Sequence, residues 1–382
     1  ALGCSGSGGA AVSVEAGGVA APHSAEQGED GGDGNGERGG GGGSSAADDA
    51  YAAKFASLED VAGQLMDVAR DQNGCRYLQR KFDEGGAAAV AVVFPEVLEH
   101  VVELMVDPFG NYLVQKLLER CSEQQRLEVL TRVASQGALV SVSLNMHGTR
   151  AVQKLVETLS SREQRVIVIE ALRDGVVSLI KDLNGNHVVQ RCLQRLGPTD
   201  SQFIYDAARA HAVEVATHRH GCCVLQRCID HATPEQRDAL VGAIAAAALP
   251  LSQDAFGNYV VQYVLNLGQP AAAAAVVAQL RGHLIELSTQ KFSSNVVEKC
   301  LKMAGLDPAD RAAMVAEVRD SPQLATLLQD GYGNYVVQSI LAITSGPEHA
   351  AVVDAIRPHL STLRATPHGK RILQRIGAAG KG

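Results

Sequence analysis

Several features that large globular or exported proteins usually carry are scarce or missing in this chain of 382 residues. It has no tryptophan, and only 4% of its residues are aromatic, so one large mixed core is not the natural expectation. The eight cysteines include no C-x-x-C pair, and the sequence opens without a basic segment followed by an apolar one. These absences predict a protein of a reducing compartment that is not secreted.

Long hydrophobic runs are missing too. Pieces rich in Ala and Val, such as AIAAAALPL, fall well short of the roughly 20 apolar residues that cross a bilayer, so we expect no membrane span. The net charge is −8, but it is unevenly spread, because residues 1–50 hold eight acidic side chains and one base, Arg38. The rest of the chain is close to neutral, which permits a basic strip for a nucleic acid without demonstrating one.

Residues 1–50 consist mainly of Gly, Ala, Ser and acidic residues. Such a composition buries too little apolar surface to offset its chain entropy, so we predict a disordered tail. The glycines of GNGERG (Gly34, Gly36 and Gly39) match G-x-G-x-x-G, but no strand pattern precedes them and no helix pattern follows. Chance in a Gly-rich tail is therefore favoured over dinucleotide binding, and residues 51–382 are predicted to form the folded domain.

A segment of about 36 residues recurs through this second part of the chain. The residue after each turn glycine, or its equivalent, marks the units: Cys75, Asn111, Thr149, Asn186, Cys222, Asn258, Ser294, Asn334 and Lys370. Each unit is predicted to hold two main helices around a short helical or turn segment. Capping boxes are predicted at Ser122, Ser160, Thr199, Thr233 and Ser345. One unit cannot bury its own apolar face, so neighbours should stack into an all-α solenoid.

The second main helix of a unit has two faces with different constraints. In NGNHVVQRCLQ (184–194), with Asn186 at 0° and about 100° per residue, His187 and Gln190 share one narrow polar face. The apolar residues on the other side are Val188, Val189, Cys192 and Leu193. We expect these to form the core between units.

Cysteine and histidine positions follow the same repeat. Cys192, Cys228 and Cys300 stand where other units have Leu, Val or Ile, so we interpret them as core residues. The cluster HRHGCC (218–223) matches no structural zinc spacing, and we expect neither a metal nor another cofactor.

Catalytic patterns are absent from the sequence. His147, His220 and His368 all precede the turn glycine of their units, which indicates a structural slot rather than a catalytic histidine. There is also no H-E-x-x-H, G-x-x-x-x-G-K-[ST] or G-x-S-x-G motif. We therefore predict that the protein is not an enzyme.

The first, second and fifth residues of the second helix take only a few polar values. In the first eight units the first residues are Cys75, Asn111, Thr149, Asn186, Cys222, Asn258, Ser294 and Asn334. The fifth residues are Gln79, Gln115, Gln153, Gln190, Gln226, Gln262, Glu298 and Gln338. The second residues are Arg76, Tyr112, Arg150, His187, Cys223, Tyr259, Asn295 and Tyr335, and all but Cys223 are flat or stackable. Amides donate and accept hydrogen bonds and planar groups stack on bases, so the pattern favours reading single-stranded RNA at one base per unit.

Two further positions bear on this interpretation. The sixth residue is basic in seven of nine units, where it could offset phosphate charge: Arg80, Lys116, Lys154, Arg191, Arg227, Lys299 and Arg375. Glu298 replaces the usual Gln, and a carboxylate only accepts hydrogen bonds, whereas guanine offers two adjacent donors. We expect this unit to prefer guanine; the alternative is a surface Glu paired with a nearby Lys.

These motifs, Asn-Tyr-x-x-Gln, Cys-Arg-x-x-Gln, Asn-His-x-x-Gln and Ser-Asn-x-x-Glu, resemble those of the Pumilio-homology (PUF) RNA-binding proteins, over about residues 52–382. The resemblance implies a right-handed, crescent-shaped α-solenoid of eight repeats with degenerate flanking units and RNA running antiparallel on the concave side. It also implies Asn/Gln for uracil, Cys or Ser with Gln for adenine, and Ser/Glu for guanine. Read from the last unit to the first, the units then specify 5′-UGUAUAUA-3′.

Two residues depart from the family pattern. Cys223 stands where the family usually has Arg, and Thr149 replaces the commoner Cys or Ser, so base choice is expected to be looser at the fourth base and less strict for adenine at the sixth.

The resemblance further implies a cytoplasmic monomer that binds mRNA 3′-untranslated regions and represses translation or promotes decay. Repressor or deadenylase proteins would dock on the convex face, near a loop around Leu306–Pro322. The alternatives are a structural RNA binder in ribosome assembly and a protein-binding α-solenoid without an RNA ligand.

Overall fold

A computed structural model describes residues 51–364 and 367–379. Within these ranges the regular structure is entirely helical, with short 3-10 helices at Glu59–Val61 and Arg357–His359 and no strand. The all-α prediction is therefore confirmed. Residues 1–50, for which we predicted disorder, lie outside the described residues. No helix in the described ranges is long and apolar enough to span a membrane.

The helices follow a cycle of three along the chain: a short helix, a motif helix that begins with the polar motif, and a third helix. The short helices are Leu65–Arg70, Val101–Val106, Leu139–Leu144, Val176–Lys181, Ala212–Ala216, Ala248–Gln253, Leu284–Ser288, Leu324–Leu327 and Leu360–Leu363. The motif helices are Gln72–Glu99, Gly110–Arg120, Gly148–Glu157, Gly185–Arg195, Gly221–His231, Gly257–Asn266, Ser293–Lys302, Gly333–Ile343 and Pro367–Ala379. The third helices are Glu123–Ser135, Arg162–Arg173, Gln202–Ala210, Pro234–Ala246, Pro270–Leu280, Pro308–Arg319 and Gly346–Ile356.

The first motif helix is continuous with its third helix. Gln72–Glu99 contains a sharp kink at Gly86, whose φ of 55° lies in the left-handed region that glycine adopts without strain. This kink redirects the chain where the other units use a loop.

Neighbouring units stack through their motif helices, each of which packs against the next one along the chain. The apolar side of each motif helix forms the core between units, and in the fourth unit Val188, Val189, Cys192 and Leu193 are all buried. Cys192, Cys228 and Cys300 are at most 1% exposed, which confirms their assignment to the core. One cluster of buried apolar residues extends from Phe55 to Ile372, as expected for a solenoid whose repeats share their interfaces.

The turn glycine lets each short helix lie directly against the start of its motif helix. A Cβ atom on Gly148 would lie 2.5 Å from the carbonyl oxygen of Val142, and one on Gly257 would lie 2.8 Å from that of Leu251. Ser293 takes the glycine's place in the seventh unit, where its buried hydroxyl donates a 2.7 Å hydrogen bond to Leu287 O. Ser293 therefore forms a hydrogen bond to the carbonyl oxygen that, in the other units, lies close to the turn glycine.

The predicted capping boxes are only partly correct. They form at Ser122 and Thr233. In the third unit the box forms one residue later than predicted, at Ser161, because two consecutive serines offer two registers. The helices that follow Thr199 and Ser345 begin without a side-chain cap, so those two predictions are wrong.

The extra length of the seventh unit is not a single loop. Most of the stretch predicted as a loop, Leu306–Pro322, is the helix Pro308–Arg319, which buries Met314, Val315 and Val318. This helix has 12 residues, whereas Glu123–Ser135 and Pro234–Ala246 have 13 each, so the added residues lie mainly in the loops around it.

Candidate nucleic-acid interface

The first, second and fifth motif residues of the first eight units lie in the first turns of consecutive motif helices, and we call this set the motif surface. The first residue is buried, as with Asn111 at 1% exposure. Most second residues are exposed, Tyr112 by 51% and Tyr335 by 41%. Because the motif helices pack side by side, the repeated polar residues meet on one surface.

The fifth motif residues are less exposed than the polar face of a helical wheel suggests. Gln262 and Gln338 are buried, whereas Gln115 is half-buried, as are the other fifth residues. Each of these side chains is thus at least partly covered in the folded chain. A ligand would therefore reach these glutamines only from the open side of the motif surface.

An acceptor three residues before the turn glycine fixes the first turn of most motif helices. In the second unit, Asp107 Oδ1 accepts hydrogen bonds from Phe109 N (2.9 Å) and Gly110 N (2.7 Å). The equivalent acceptors are Asp71, Asn145, Asp182, Asp254 and Asp330. These positioning residues were not predicted from the sequence, although the spacing Asp/Asn-x-x-Gly marks them.

The four Asn/Gln units share one hydrogen-bond arrangement. Asn186 Nδ2 donates to the carbonyl oxygens of Asp182 (2.9 Å) and Leu183 (2.6 Å), and Gln190 Nε2 donates to Asn186 Oδ1 (2.8 Å). Since both amide hydrogens of the Asn face loop carbonyls, the pair has one orientation. The hydrogen-bonding groups that the Asn–Gln pair can still offer a ligand are one Gln N–H, the Gln oxygen and a lone pair on the Asn oxygen.

The same bond from glutamine to asparagine recurs in the other three units of this kind. Gln115 donates to Asn111 at 3.0 Å, Gln262 donates to Asn258 at 3.0 Å, and Gln338 donates to Asn334 at 2.9 Å. Each of these asparagines also donates to two carbonyl oxygens of its own loop. The structure thus brings each predicted Asn and Gln together as a bonded pair.

The units with a smaller first residue are built differently. Cys75 Sγ donates to Phe109 O (3.2 Å), and Thr149 Oγ1 donates to Asn184 O (3.0 Å). Both acceptors belong to the next unit. Gln79 and Gln153 still donate to their own first residues, each at 3.2 Å. These first residues therefore connect neighbouring units, whereas the asparagines bond within their own.

The fifth unit differs again. Cys222 is buried, and its Sγ donates to Arg219 O within the same unit at 3.3 Å. The loop acceptor is His218, whose Nδ1 accepts a hydrogen bond from His220 N at 3.3 Å, and Gln226 is half-buried. Within the described ranges, no group of three or more His, Cys, Asp or Glu residues could hold a metal ion.

The seventh unit carries the single carboxylate of the motif surface. Glu298 Oε2 accepts hydrogen bonds from Lys302 Nζ (2.6 Å) and from Ser339 Oγ of the next unit (2.7 Å), beside the buried Ser294. The lysine pairing anticipated from the sequence is therefore present. It occupies one carboxylate oxygen, and the second oxygen can still accept.

The second motif residues form an exposed row of mostly flat side chains: Arg76, Tyr112, Arg150, His187, Cys223, Asn295 and Tyr335, with Tyr259 half-buried. Arg371 of the last unit donates to Tyr335 Oη at 3.1 Å, which extends the row. Burial, and secondarily the charge of Arg150, lowers the pKa of His187, which favours its neutral ring at physiological pH.

Part of the basic sixth-position row is paired with carboxylates of the preceding unit. Glu119 contacts Lys154 at 2.9 Å, and Glu157 contacts Arg191 at 3.2 Å. The same pairing joins Asp83 to Lys116, and we call these three contacts the ion-pair ladder. It offsets positive charge that the sequence suggested was free for phosphates.

The family model described as "Pumilio-family RNA binding repeat" matches eight stretches of the chain. They are residues 64–98, 100–134, 139–172, 175–207, 211–245, 248–280, 283–319 and 323–357. The chain belongs to the Pumilio family. Each PUF repeat holds one short helix, one motif helix and one third helix, with the ninth motif helix beyond the last match.

Curated relatives and solved structures match most of this chain. The curated "Putative pumilio homolog 7, chloroplastic" of Arabidopsis thaliana is 52% identical over 317 residues, which are 83% of this chain and 48% of that protein. The chain thus spans about half the length of this relative. The solved "Puf4 RNA binding domain bound to HO endonuclease RNA 3′ UTR recognition sequence" is 44% identical. That match covers 81% of this chain and 97% of Puf4, with a TM-score of 0.68.

A Puf4 double variant is also similar. In it a threonine is replaced by cysteine and a later cysteine by arginine, and it is bound to the "Cox17 RNA 3′ UTR recognition sequence". It is 42% identical to this chain and covers 82% of it and 98% of its own length, with a TM-score of 0.68. The two substituted positions have the same separation as Thr149 and Cys223.

Proposed function

We propose that the PUF repeats within residues 51–382 bind single-stranded mRNA sequence-specifically through the motif surface and regulate the bound transcripts. The observation that carries this proposal is the repeated Asn–Gln arrangement, in which loop carbonyls give each pair the same orientation. Solvation alone would not require the same amide geometry in four units. A surface that presents identical groups at regular spacing is suited to reading successive bases. The proposed activity is binding without catalysis.

The proposed element is 5′-UGUAUAUA-3′, read from the eighth unit to the first. Uracil has an N–H between two carbonyl oxygens, and this edge matches the donor and acceptors left on an Asn–Gln pair. Guanine has adjacent N–H and amino donors, which match the carboxylate of Glu298. Lys302 and Ser339 would hold that carboxylate in place while it accepts from the base.

Thr149 and Cys223 are proposed to set the choice of RNA in the middle of the element. Puf4 is bound to HO RNA with a threonine and a cysteine at this separation, and its double variant is bound to Cox17 RNA. This chain has the unsubstituted pair, so we expect its preference there to follow that of unsubstituted Puf4. The initial UGU depends on units six to eight, which carry no such departure.

Direct titration tests the proposal. The chain is titrated with fluorescent UGUAUAUA RNA at fixed, near-physiological salt, beside the same RNA with A in place of G. Tight binding that falls by about tenfold or more for the A variant is expected, since one mismatch typically costs about 1–3 kcal/mol. Equal, weak and salt-erased binding to both RNAs would instead favour a protein-binding solenoid.

We further propose that the protein acts in the cytoplasm as a monomer that represses translation or promotes decay of transcripts bound through their 3′-untranslated regions. Repressor or deadenylase partners would dock near Leu306–Pro322, now seen as a helix with two flanking loops. Crosslinking in cells tests this, with mRNA 3′-untranslated regions as the expected partners. Crosslinks dominated by ribosomal RNA would point to ribosome assembly. Because one relative's name includes "chloroplastic", the location of the tagged protein should be imaged in the same cells.

A further inference from the structure

The ninth motif helix, Pro367–Ala379, continues the row of motif helices past the eighth unit. It packs against the eighth motif helix, Gly333–Ile343, and Arg371 donates to Tyr335 Oη at 3.1 Å. All of its residues that correspond to the first, second, fifth and sixth motif positions are exposed. They are Lys370, Arg371, Gln374 and Arg375. The motif surface is therefore extended by one unit whose side chains carry a different chemistry.

The side chains of the ninth unit cannot form the Asn–Gln arrangement. Lys370 stands where the asparagine would be, and a lysine donates three hydrogen bonds and accepts none. Arg371 and Arg375 are also donors without an acceptor. The Watson–Crick edge of every base includes at least one donor, whereas a phosphate offers only acceptors and a negative charge. Three cations on one exposed surface therefore match a phosphate better than they match a base.

The surroundings of these cations contain little negative charge. The ninth motif helix has no Asp or Glu, and neither do Gly333–Ile343 and Leu360–Leu363, the helices that pack against it. The opposite end of the motif surface differs, because Arg80 Nε of the first unit lies 3.8 Å from Glu84 Oε1. The ion-pair ladder offsets the basic residues of the second, third and fourth units in the same way. Uncompensated positive charge thus collects where the row of motif helices ends.

We propose that Lys370, Arg371 and Arg375 form a subsite for the phosphate that joins the first base of the element to the preceding nucleotide, whatever base that nucleotide carries. The inference rests on the proposed function, since RNA read from the eighth unit to the first has its 5′ side at the ninth unit. An acidic protein segment would also match the charge. RNA is favoured because the same strand that lies on the motif surface brings its phosphate to this position.

The test measures the affinity of the full chain for UGUAUAUA, for the same RNA with one nucleotide added at the 5′ end, and for the same RNA with one added at the 3′ end. Each extension adds one phosphodiester, so the 3′ extension is the matched control. The 5′ extension should raise affinity about threefold more than the 3′ extension does, equally for A, C, G and U. It should also steepen the dependence of log affinity on log salt by about 0.7, as for one further phosphate contact on a single strand.

Two modified RNAs separate the phosphate from the base. A 5′ extension by an abasic nucleotide keeps the phosphate and should keep the gain in affinity. A methylphosphonate in the added linkage is uncharged and should lose that gain. Both results are expected at the same salt concentration, because salt alone alters any phosphate contact.

Variants of the chain locate the subsite. Lys370→Gln and Arg375→Gln should each lower the ratio of the affinity for the 5′-extended RNA to the affinity for UGUAUAUA. The matched control is Arg357→Gln, which removes an equal charge from an exposed arginine that lies 3.0 Å from Asp354. This change should leave the ratio unaltered. Thermal unfolding of each variant identifies any loss of fold.

The outcomes separate this inference from the proposed function. A gain confined to one base, or lost with the abasic nucleotide, would overturn the phosphate subsite in favour of a site that reads a base. Equal gains from the 5′ and 3′ extensions would also overturn it, as would a ratio unaltered in folded Lys370→Gln and Arg375→Gln. If UGUAUAUA and its A variant bind equally, the proposed function itself fails, whatever the extensions do.

Discussion

The even-numbered and odd-numbered units of the motif surface differ in how they hold their first motif residue. In the even units an asparagine bonds to carbonyls of its own loop, as Asn186 does with Asp182 and Leu183. In the odd units the residue is smaller, and in two of them, at Cys75 and Thr149, it bonds to a carbonyl of the following unit.

This alternation explains the proposed order of bases by size as well as by hydrogen bonding. A smaller first residue leaves more room, and the proposed element places purines opposite the odd units and uracils opposite the even ones. Under the proposed function, the identity of the first residue would set both the space and the acceptor atom available to a base. Exchanging residues between the two classes should exchange their preferences.

Turning an odd unit into an even one should have the largest effect. The double change Ser294→Asn and Glu298→Gln removes the carboxylate that would accept from guanine and installs an Asn–Gln pair. We expect affinity for UGUAUAUA to fall by about tenfold to a hundredfold and affinity for UUUAUAUA to rise, as for an exchanged mismatch. Competition binding with both RNAs measures this. An unchanged preference for G at the second base would refute the assignment of Glu298.

The reverse exchange should have a somewhat smaller effect. Asn186→Cys with Gln190 retained resembles the first unit, so we expect the fifth base to change preference from U to A by about tenfold. The matched control is Asn258→Cys with Gln262 retained, which should alter preference at the third base only. If either change weakens binding equally for every base, the first residue is structural rather than selective.

The odd units themselves can be compared through Thr149 and Cys223. The double change Thr149→Cys and Cys223→Arg should shift the chain's relative affinity from the HO element toward the Cox17 element by several-fold to about tenfold. The ratio of the two affinities, measured for both proteins in one buffer, tests this. If the ratio is unchanged, Thr149 and Cys223 do not control RNA preference in this chain.

Removing two of the three contacts of the ion-pair ladder should have the smallest effect, and it should not distinguish the even units from the odd units. Glu119→Gln with Glu157→Gln frees Lys154 and Arg191, so all RNAs should bind a few-fold more tightly with a steeper salt dependence. These pairs are partly exposed to solvent, and the free energy of unfolding should change by less than about 1 kcal/mol per pair. Thermal unfolding and binding at two salt concentrations provide the measurement. A base-specific change would contradict this account.

The sequence predicts the repeat, the helical class and the core because these follow from periodicity. Val188, Val189 and the three core cysteines are buried as the helical pattern requires. Caps were harder to predict, because Ser160 and Ser161 are adjacent candidates and only contact with the folded helix start selects one. The position of the polar triplets was also predictable, since they begin the motif helices.

Other parts of the site depended on contacts between units. The ion-pair ladder joins residues more than thirty positions apart, and their proximity follows from the stacking of motif helices. The bond from Ser339 to Glu298 has the same origin.

The burial of polar motif residues was missed for a related reason. A helical wheel places Asn186 on a polar face, whereas in the structure it is buried and loop carbonyls satisfy its amide. Gln262 and Gln338 are buried as well, and each bonds to its asparagine within the stacked helices. A wheel drawn for one helix contains neither the loop carbonyls nor the neighbouring unit.

The hydrogen bonds of the first motif residues also determine which of these residues can be substituted independently of the next unit. An asparagine whose amide bonds only within its own loop can be substituted without removing a hydrogen bond to the next unit. Cys75 and Thr149 are instead bonded to their neighbouring units. Each donates to the carbonyl oxygen of the residue just before the next motif helix, Phe109 or Asn184. Substituting either residue also removes a contact between units. The even units should therefore tolerate substitution of the first motif residue better than these odd units do.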